Sequence, residues 1–170
     1  MNILKAATDW AKAEVVSTPY FALAGLLFIA ISIGFWQLGK TDLAKAYIIP
    51  TLVAGLLLVI IGSGLFLTNK KRITQFEIAY KADASAFIAS ELERAEVTLK
   101  EYKNIVFTAI PIIIAVCAAV LFLVNAAVWR ASMITGISML AVIMLIDGLA
   151  HARIAEYNKQ LIQAQNEIKN

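Results

Sequence analysis

The sequence predicts an all-α integral membrane fold: a four-transmembrane-helix bundle whose helices extend into a cytoplasmic helical bundle. Three observations predict it. First, four apolar runs, Pro19–Leu38, Ala46–Leu67, Ile105–Val124 and Val128–Leu149, each hold about 20 residues, the length a helix needs to cross ~30 Å of hydrocarbon. Second, the segments on one set of flanks carry apolar residues at alternating spacings of three and four. Third, the basic residues lie overwhelmingly on that same set of flanks.

The composition agrees. Of 170 residues, 61% are hydrophobic and 16% charged, with a mean hydropathy of +0.77. A soluble domain is roughly 45–50% apolar and about 25% charged. The four runs leave no stretch long enough for a separate soluble domain of ordinary size. The single cysteine, Cys117, lies within the third run, so it forms neither an internal disulfide nor a metal cluster.

Residues 1–18 place Ile3, Leu4, Ala7, Trp10, Ala11 and Val15 near one helical face, with Lys5, Asp9, Lys12 and Glu14 on the remainder. That pattern predicts an amphipathic helix lying in the membrane interface. Packing as a fourth helix on the cytoplasmic bundle fits the same pattern. Ser17 or Thr18 followed by Pro19 is expected to break this helix and start the first span, 19–38. That run exceeds a typical signal-peptide core and has no small-x-small cleavage pattern after it, so it reads as a retained anchor.

The second span, 46–67, carries Pro50 early and the small residues Gly55, Gly62, Ser63 and Gly64. Gly62-Ser63-Gly64 lies in an apolar helix with no following Lys, so it is no phosphate loop. Small residues there favour close helix approach, as do Ala30 with Gly34 and Ser132 with Gly136. They serve packing within the chain or within a homodimer.

The segment 68–104 contains no Gly or Pro and is rich in Ala, Glu, Lys and Leu, which favour helix. Ile88, Leu92, Ala95, Leu99, Tyr102 and Val106 form an a/d seam of the coiled-coil type that runs into the third span, 105–124. Ile73, Phe76, Tyr80 and Ala84 make a similar stripe leaving the second span. The two spans are antiparallel, so 68–104 is a helical hairpin. Asp83-Ala84-Ser85 is its expected turn, with Asp83 or Ser85 capping the returning helix. After the fourth span, 128–149, the tail 150–170 repeats the pattern with Ile154, Tyr157, Leu161, Ala164 and Ile168.

Orientation follows from charge. The flanks 1–18, 68–104 and 150–170 hold twelve Lys and Arg residues; the loops around 39–45 and 125–130 hold three. This bias places the first set in the cytoplasm, and the Lys70-Lys71-Arg72 cluster at a span end reinforces it. Trp36 and Trp129 fall at the outer boundary, Trp10 and Tyr20 at the inner one. Three adjacent positives are what topology alone requires, and nothing else suggests nucleic acid.

Asp147 and His151 are the candidate functional residues. Ionisable groups within spans are rare and point to function by default. The two lie four residues apart on one helix and so are neighbours, which permits a proton relay or cation site. The competing reading is structural. Asp147 lies about one turn from the cytoplasmic boundary, where it can pair with Arg72, Lys103 or Arg153. His151 has no second His, thiolate or carboxylate cluster to complete a metal site. No catalytic residues, cofactors or metals are expected, because no nucleophile-and-base set, P-loop or dinucleotide fingerprint occurs. In size and span number the chain resembles the small drug-efflux transporters. It departs from them in two ways: Pro19–Leu38 has no embedded acidic residue, and they lack long cytoplasmic helices. No site residue carries over.

The expected function is that of a non-enzymatic inner-membrane protein, an accessory subunit, assembly factor or scaffold. Its partners would be membrane lipids and another membrane or cytoplasmic protein, or further copies of itself. A small oligomeric transporter or channel using Asp147 and His151 at its cytoplasmic mouth is the alternative.

Overall fold

A computed structural model describes residues 2–169. Within them the chain is helical nearly throughout, with no strand: α1 Ile3–Ser17, α2 Pro19–Leu38, α3 Asp42–Ala46, α4 Ile48–Ala82, α5 Ala84–Glu101, a π-helical segment Tyr102–Ala109, α6 Ile110–Leu123 and α7 Ala127–Lys169. Four helical stretches are long and apolar enough to cross a membrane. Helix α7, with 43 residues, measures roughly 64 Å at 1.5 Å per residue, about twice the hydrocarbon thickness. Each long helix has an apolar half and a charged half, and like halves pack together.

In the apolar half, α2 and α4 touch at their backbones. A Cβ placed on Gly25 would lie 2.6 Å from the Gly55 carbonyl oxygen; one on Gly55 would lie 2.7 Å from that of Gly25. One on Gly62 would lie 2.7 Å from the Ala22 nitrogen. This contact has no room for a side chain. The Ser32 hydroxyl donates to the Ile48 carbonyl at 2.7 Å and ties together the ends remote from the charged half. Phe21, Phe28, Ala54 and Leu58 are buried at this contact, and Met139, Val142, Ile143 and Ile146 of α7 close over them. Gly55 and Gly62 thus act in packing within the chain. Gly34 and Gly136 do not, because both face open space. Helix α6 packs chiefly on α7, and most of its apolar surface is uncovered by protein.

In the charged half, α1, the ends of α4 and α7, and α5 surround one core. Ile3, Ala7, Trp10, Ala11, Phe76, Phe87, Ile88, Ala95, Ile154, Tyr157, Leu161 and Ala164 are its buried members. The seams expected from sequence lie inside it, with Tyr80, Leu92, Leu99 and Tyr102 partly buried at its edges. Ile168, expected in the last seam, is exposed. The reversal between α4 and α5 falls at Asp83, which is extended (φ −157°, ψ 103°) and accepts from the Ala86 N–H at 2.9 Å.

Two sequence expectations are corrected. The apolar face of helix α1 is not left free for lipid. That face lies against α4 and α7, because Trp10 and Ile3 find aromatic and aliphatic partners there. The amphipathic pattern is the same for either partner, so pattern alone does not choose between them. The joint between α1 and α2 falls at Thr18, which stays right-handed (φ −62°, ψ −31°), and Pro19 takes the first-turn position of α2, where its missing N–H costs nothing. The third span does not begin as a regular α-helix. Its entrance is π-helical, with the Ile110 N–H reaching the Ile105 carbonyl and the Thr108 hydroxyl that of Lys103 at 2.8 Å. This wide turn lies directly before Pro111, whose ring would clash with a carbonyl in a regular α-turn.

Candidate functional site

Where the apolar halves end, the helices part around a cavity of about 380 Å³. Every long helix contributes the same end to its wall. Thr18 and Phe21 come from the α1–α2 joint and Leu65 and Asn69 from α4. Ile105 and Val106 come from the π-helical segment, and Ile146 and Asp147 from α7. The charged half closes the other side with Trp10, Glu14, Arg72, Arg94 and Tyr102. An apolar floor therefore meets a polar roof at the level where spans give way to charged helices.

Charge pairs hold the roof. Arg153 of α7 donates through Nε to Glu14 Oε1 at 2.8 Å and through Nη2 to Ser17 Oγ at 2.7 Å, fastening α7 to α1. Arg94 grips both oxygens of Glu91, through Nε at 2.8 Å and through Nη2. The Tyr157 hydroxyl donates to the same carboxylate at 3.1 Å, fastening α7 to α5. Glu14 and Glu91 are both buried, and a buried carboxylate is tolerable only when paired in this way. Burial, and then the Glu91 charge, hold the Tyr157 phenol far above its ordinary range, so it stays a donor. Trp10 is the hub: its ring stacks on Tyr157 with centroids 5.4 Å apart. The guanidinium of Arg94 lies 4.5 Å from the Trp10 ring centroid, and that of Arg72 lies 5.7 Å from it. Both are within cation–π range.

Arg72 differs from the other arginines. Its Nη1 donates to Asn69 Oδ1 at 2.9 Å, a neutral partner. Burial and the nearby Arg94 charge lower its pKa, while Glu91 and Glu14 oppose them. Its charge thus lacks a dedicated counter-ion. Two buried polar atoms in the same wall, Trp10 Nε1 and Thr18 Oγ1, have no hydrogen-bond partner.

Asp147 lines this cavity. Among the described residues it forms no ion pair with Arg72, Lys103 or Arg153, contrary to the structural reading of the sequence. Arg72 and Arg153 are engaged elsewhere. Burial, and then the Asp147 charge, raise the Tyr102 phenol above its ordinary range. His151 is placed apart from the cavity. It meets the rings of Tyr102 and Phe107 edge-on, at centroid distances of 5.7 and 5.0 Å. No hydrogen bond joins it to Asp147 among the described residues. Nor do the described residues include a group of three His, Cys, Asp or Glu able to hold a metal ion.

Sequence reasoning passed over Trp10, Glu14, Thr18, Asn69, Arg72, Glu91 and Arg94 as site residues. The i,i+3 spacing of Asn69 with Arg72 and of Glu91 with Arg94 was the available signal. The longest link, Arg153 to Glu14, joins residues 139 apart and leaves no local trace. Arg153→Met is expected to strand the Glu14 carboxylate and lower stability by about 1.5–3 kcal/mol, the usual loss for a charge-assisted bond. Thermal unfolding in detergent measures it; an unchanged midpoint contradicts the fastening role.

No protein-family model, curated protein or solved structure matches this chain.

Proposed function

We propose that the protein is a non-enzymatic integral inner-membrane protein, with both termini and the charged bundle in the cytoplasm. It would act as an accessory subunit, assembly factor or scaffold. One observation carries this reading. Helices α4, α5 and α7 project past their apolar halves into a bundle with its own aromatic core, braced by the Glu91–Arg94–Tyr157 and Arg153–Glu14 links. Such a bundle is a rigid platform for a partner. The uncovered apolar face of α6 supports the same reading, since a second membrane protein has a helix to pack on.

The test is native co-purification from the membrane in mild detergent, with mass spectrometry of what accompanies the chain. A stoichiometric partner is expected. It should be lost when the outward carboxylates of α5 are reversed in Glu93→Lys/Glu96→Lys, because both are exposed. A homo-oligomer with no partner in both forms contradicts the scaffold.

The cavity favours a second reading, a small oligomeric transporter or channel. Asp147 at its wall is the group that would carry a proton or cation. Proton flux into vesicles that disappears in Asp147→Asn would establish it over the scaffold.

A further inference from the structure

We infer that the junction cavity binds the headgroup of one zwitterionic, primary-amine phospholipid of the phosphatidylethanolamine type. The inference rests on the membrane reading and goes beyond the scaffold function. Its first support is position. The cavity is walled by the same end of all four apolar helices, which is the depth of phospholipid headgroups.

The second support is charge. Arg94 is neutralised by Glu91, and Glu14 by Arg153. Glu101 also reaches the wall, but it is exposed and its charge is screened by water and salt. One cation, Arg72, and one anion, Asp147, remain in the wall without an ion pair among the described residues. A ligand that satisfies both carries one negative and one positive group. A phosphate suits the guanidinium, which offers a planar fork of donors. A primary ammonium suits the carboxylate, because it donates N–H bonds as well as charge. Trp10 and Thr18 of the same wall each hold a buried polar atom with no hydrogen-bond partner among the described residues.

The third support is the path for acyl chains. Ser17 and Ile146 line both the cavity and an adjoining groove on the outer face of the α1–α2 joint and α7. Val16, Tyr20, Leu145 and Leu149 make this groove apolar and exposed. Lys12 at its rim is exposed, so its attraction for anionic lipid is screened. A headgroup inside the cavity therefore leads directly to a surface that suits its tails.

Other headgroups fit less well. Phosphatidylglycerol brings a phosphate but no cation, which leaves Asp147 unmatched. Phosphatidylcholine brings a bulkier cation without N–H donors. Free phosphoethanolamine has the right groups, but its monoester phosphate carries nearly a second negative charge at neutral pH, and it makes no use of the groove.

Native mass spectrometry of the full chain in mild detergent, titrated with each of these four compounds, tests the proposal. One dioleoylphosphatidylethanolamine per chain is expected, at least tenfold tighter than the glycerol and choline lipids and than free phosphoethanolamine. Arg72→Gln and Asp147→Asn should each weaken it about tenfold, and the exposed Lys70→Gln should not. Trp10→Phe, which leaves a smaller aromatic ring beside Tyr157 and removes the indole N–H, should weaken it severalfold with helicity unchanged. Equal binding of the three lipids overturns the proposal, as does preference unaltered in all three cavity variants. Free phosphoethanolamine binding as tightly as the lipid assigns the cavity to a soluble zwitterion instead. None of these outcomes depends on whether a protein partner is found.

Discussion

Leu161→Asp is expected to unfold the charged-half bundle while the apolar helices remain inserted. Leu161 is fully buried among α1, α5 and α7 neighbours. Truncating a buried leucine costs about 2–5 kcal/mol, and an unpaired buried carboxylate adds to that. A loss on this scale is comparable with the whole stability of a small domain, about 5–15 kcal/mol. The adjacent Ile162 is exposed, so Ile162→Asp should change stability by only about 0.5 kcal/mol. Limited proteolysis and thermal unfolding in detergent distinguish the two. If Leu161→Asp behaves like Ile162→Asp, the bundle is not packed as described.

Gly55→Leu should separate α2 from α4. The first added carbon would lie 2.7 Å from both the Gly25 carbonyl oxygen and Ile29 Cγ1, and 2.9 Å from the Ile29 nitrogen. Backbone atoms cannot rotate away, so the helices must move apart and lose the Phe21–Phe28–Leu58 contact. Overpacking costs about 1–3 kcal/mol where side chains can adjust; here the loss should reach or exceed the upper end. Gly34→Leu, with nothing within 4 Å of its added carbon, should be tolerated. Comparison of their unfolding midpoints in detergent decides whether this close approach exists.

The two variants mark what a single sequence reveals. Leu161 was legible because a seam repeating every three and four residues is a local property of one helix. The four apolar runs were legible for the same reason, since crossing hydrocarbon is a matter of length and composition. The Gly55 contact was half legible. Its small residues stood out, but its partner Gly25 lies 30 positions away and nothing in either helix names the other. Helix α1 was ambiguous, because lipid and protein both reward an apolar face. The cavity was the least legible. Asp147 stood out by its rarity within a span, whereas Arg72 sat in a basic cluster that topology already explained. Only folding shows that Arg72 faces inwards while Arg153 finds its carboxylate, Glu14, near the other end of the chain. His151 attracted notice as the only histidine, yet its surroundings are the Tyr102 and Phe107 rings.

The central claim is that all charged halves lie together on the cytoplasmic side of four spans. Single cysteines at Asn2, Thr41, Ser85, Asn125 and Asn166, introduced in a Cys117→Ser background, test it most directly through a membrane-impermeant thiol reagent applied to intact cells. Labelling is expected at 41 and 125 alone, with 2, 85 and 166 labelled only after the membrane is opened. Labelling of 85 in intact cells would contradict it, and with it the cytoplasmic platform.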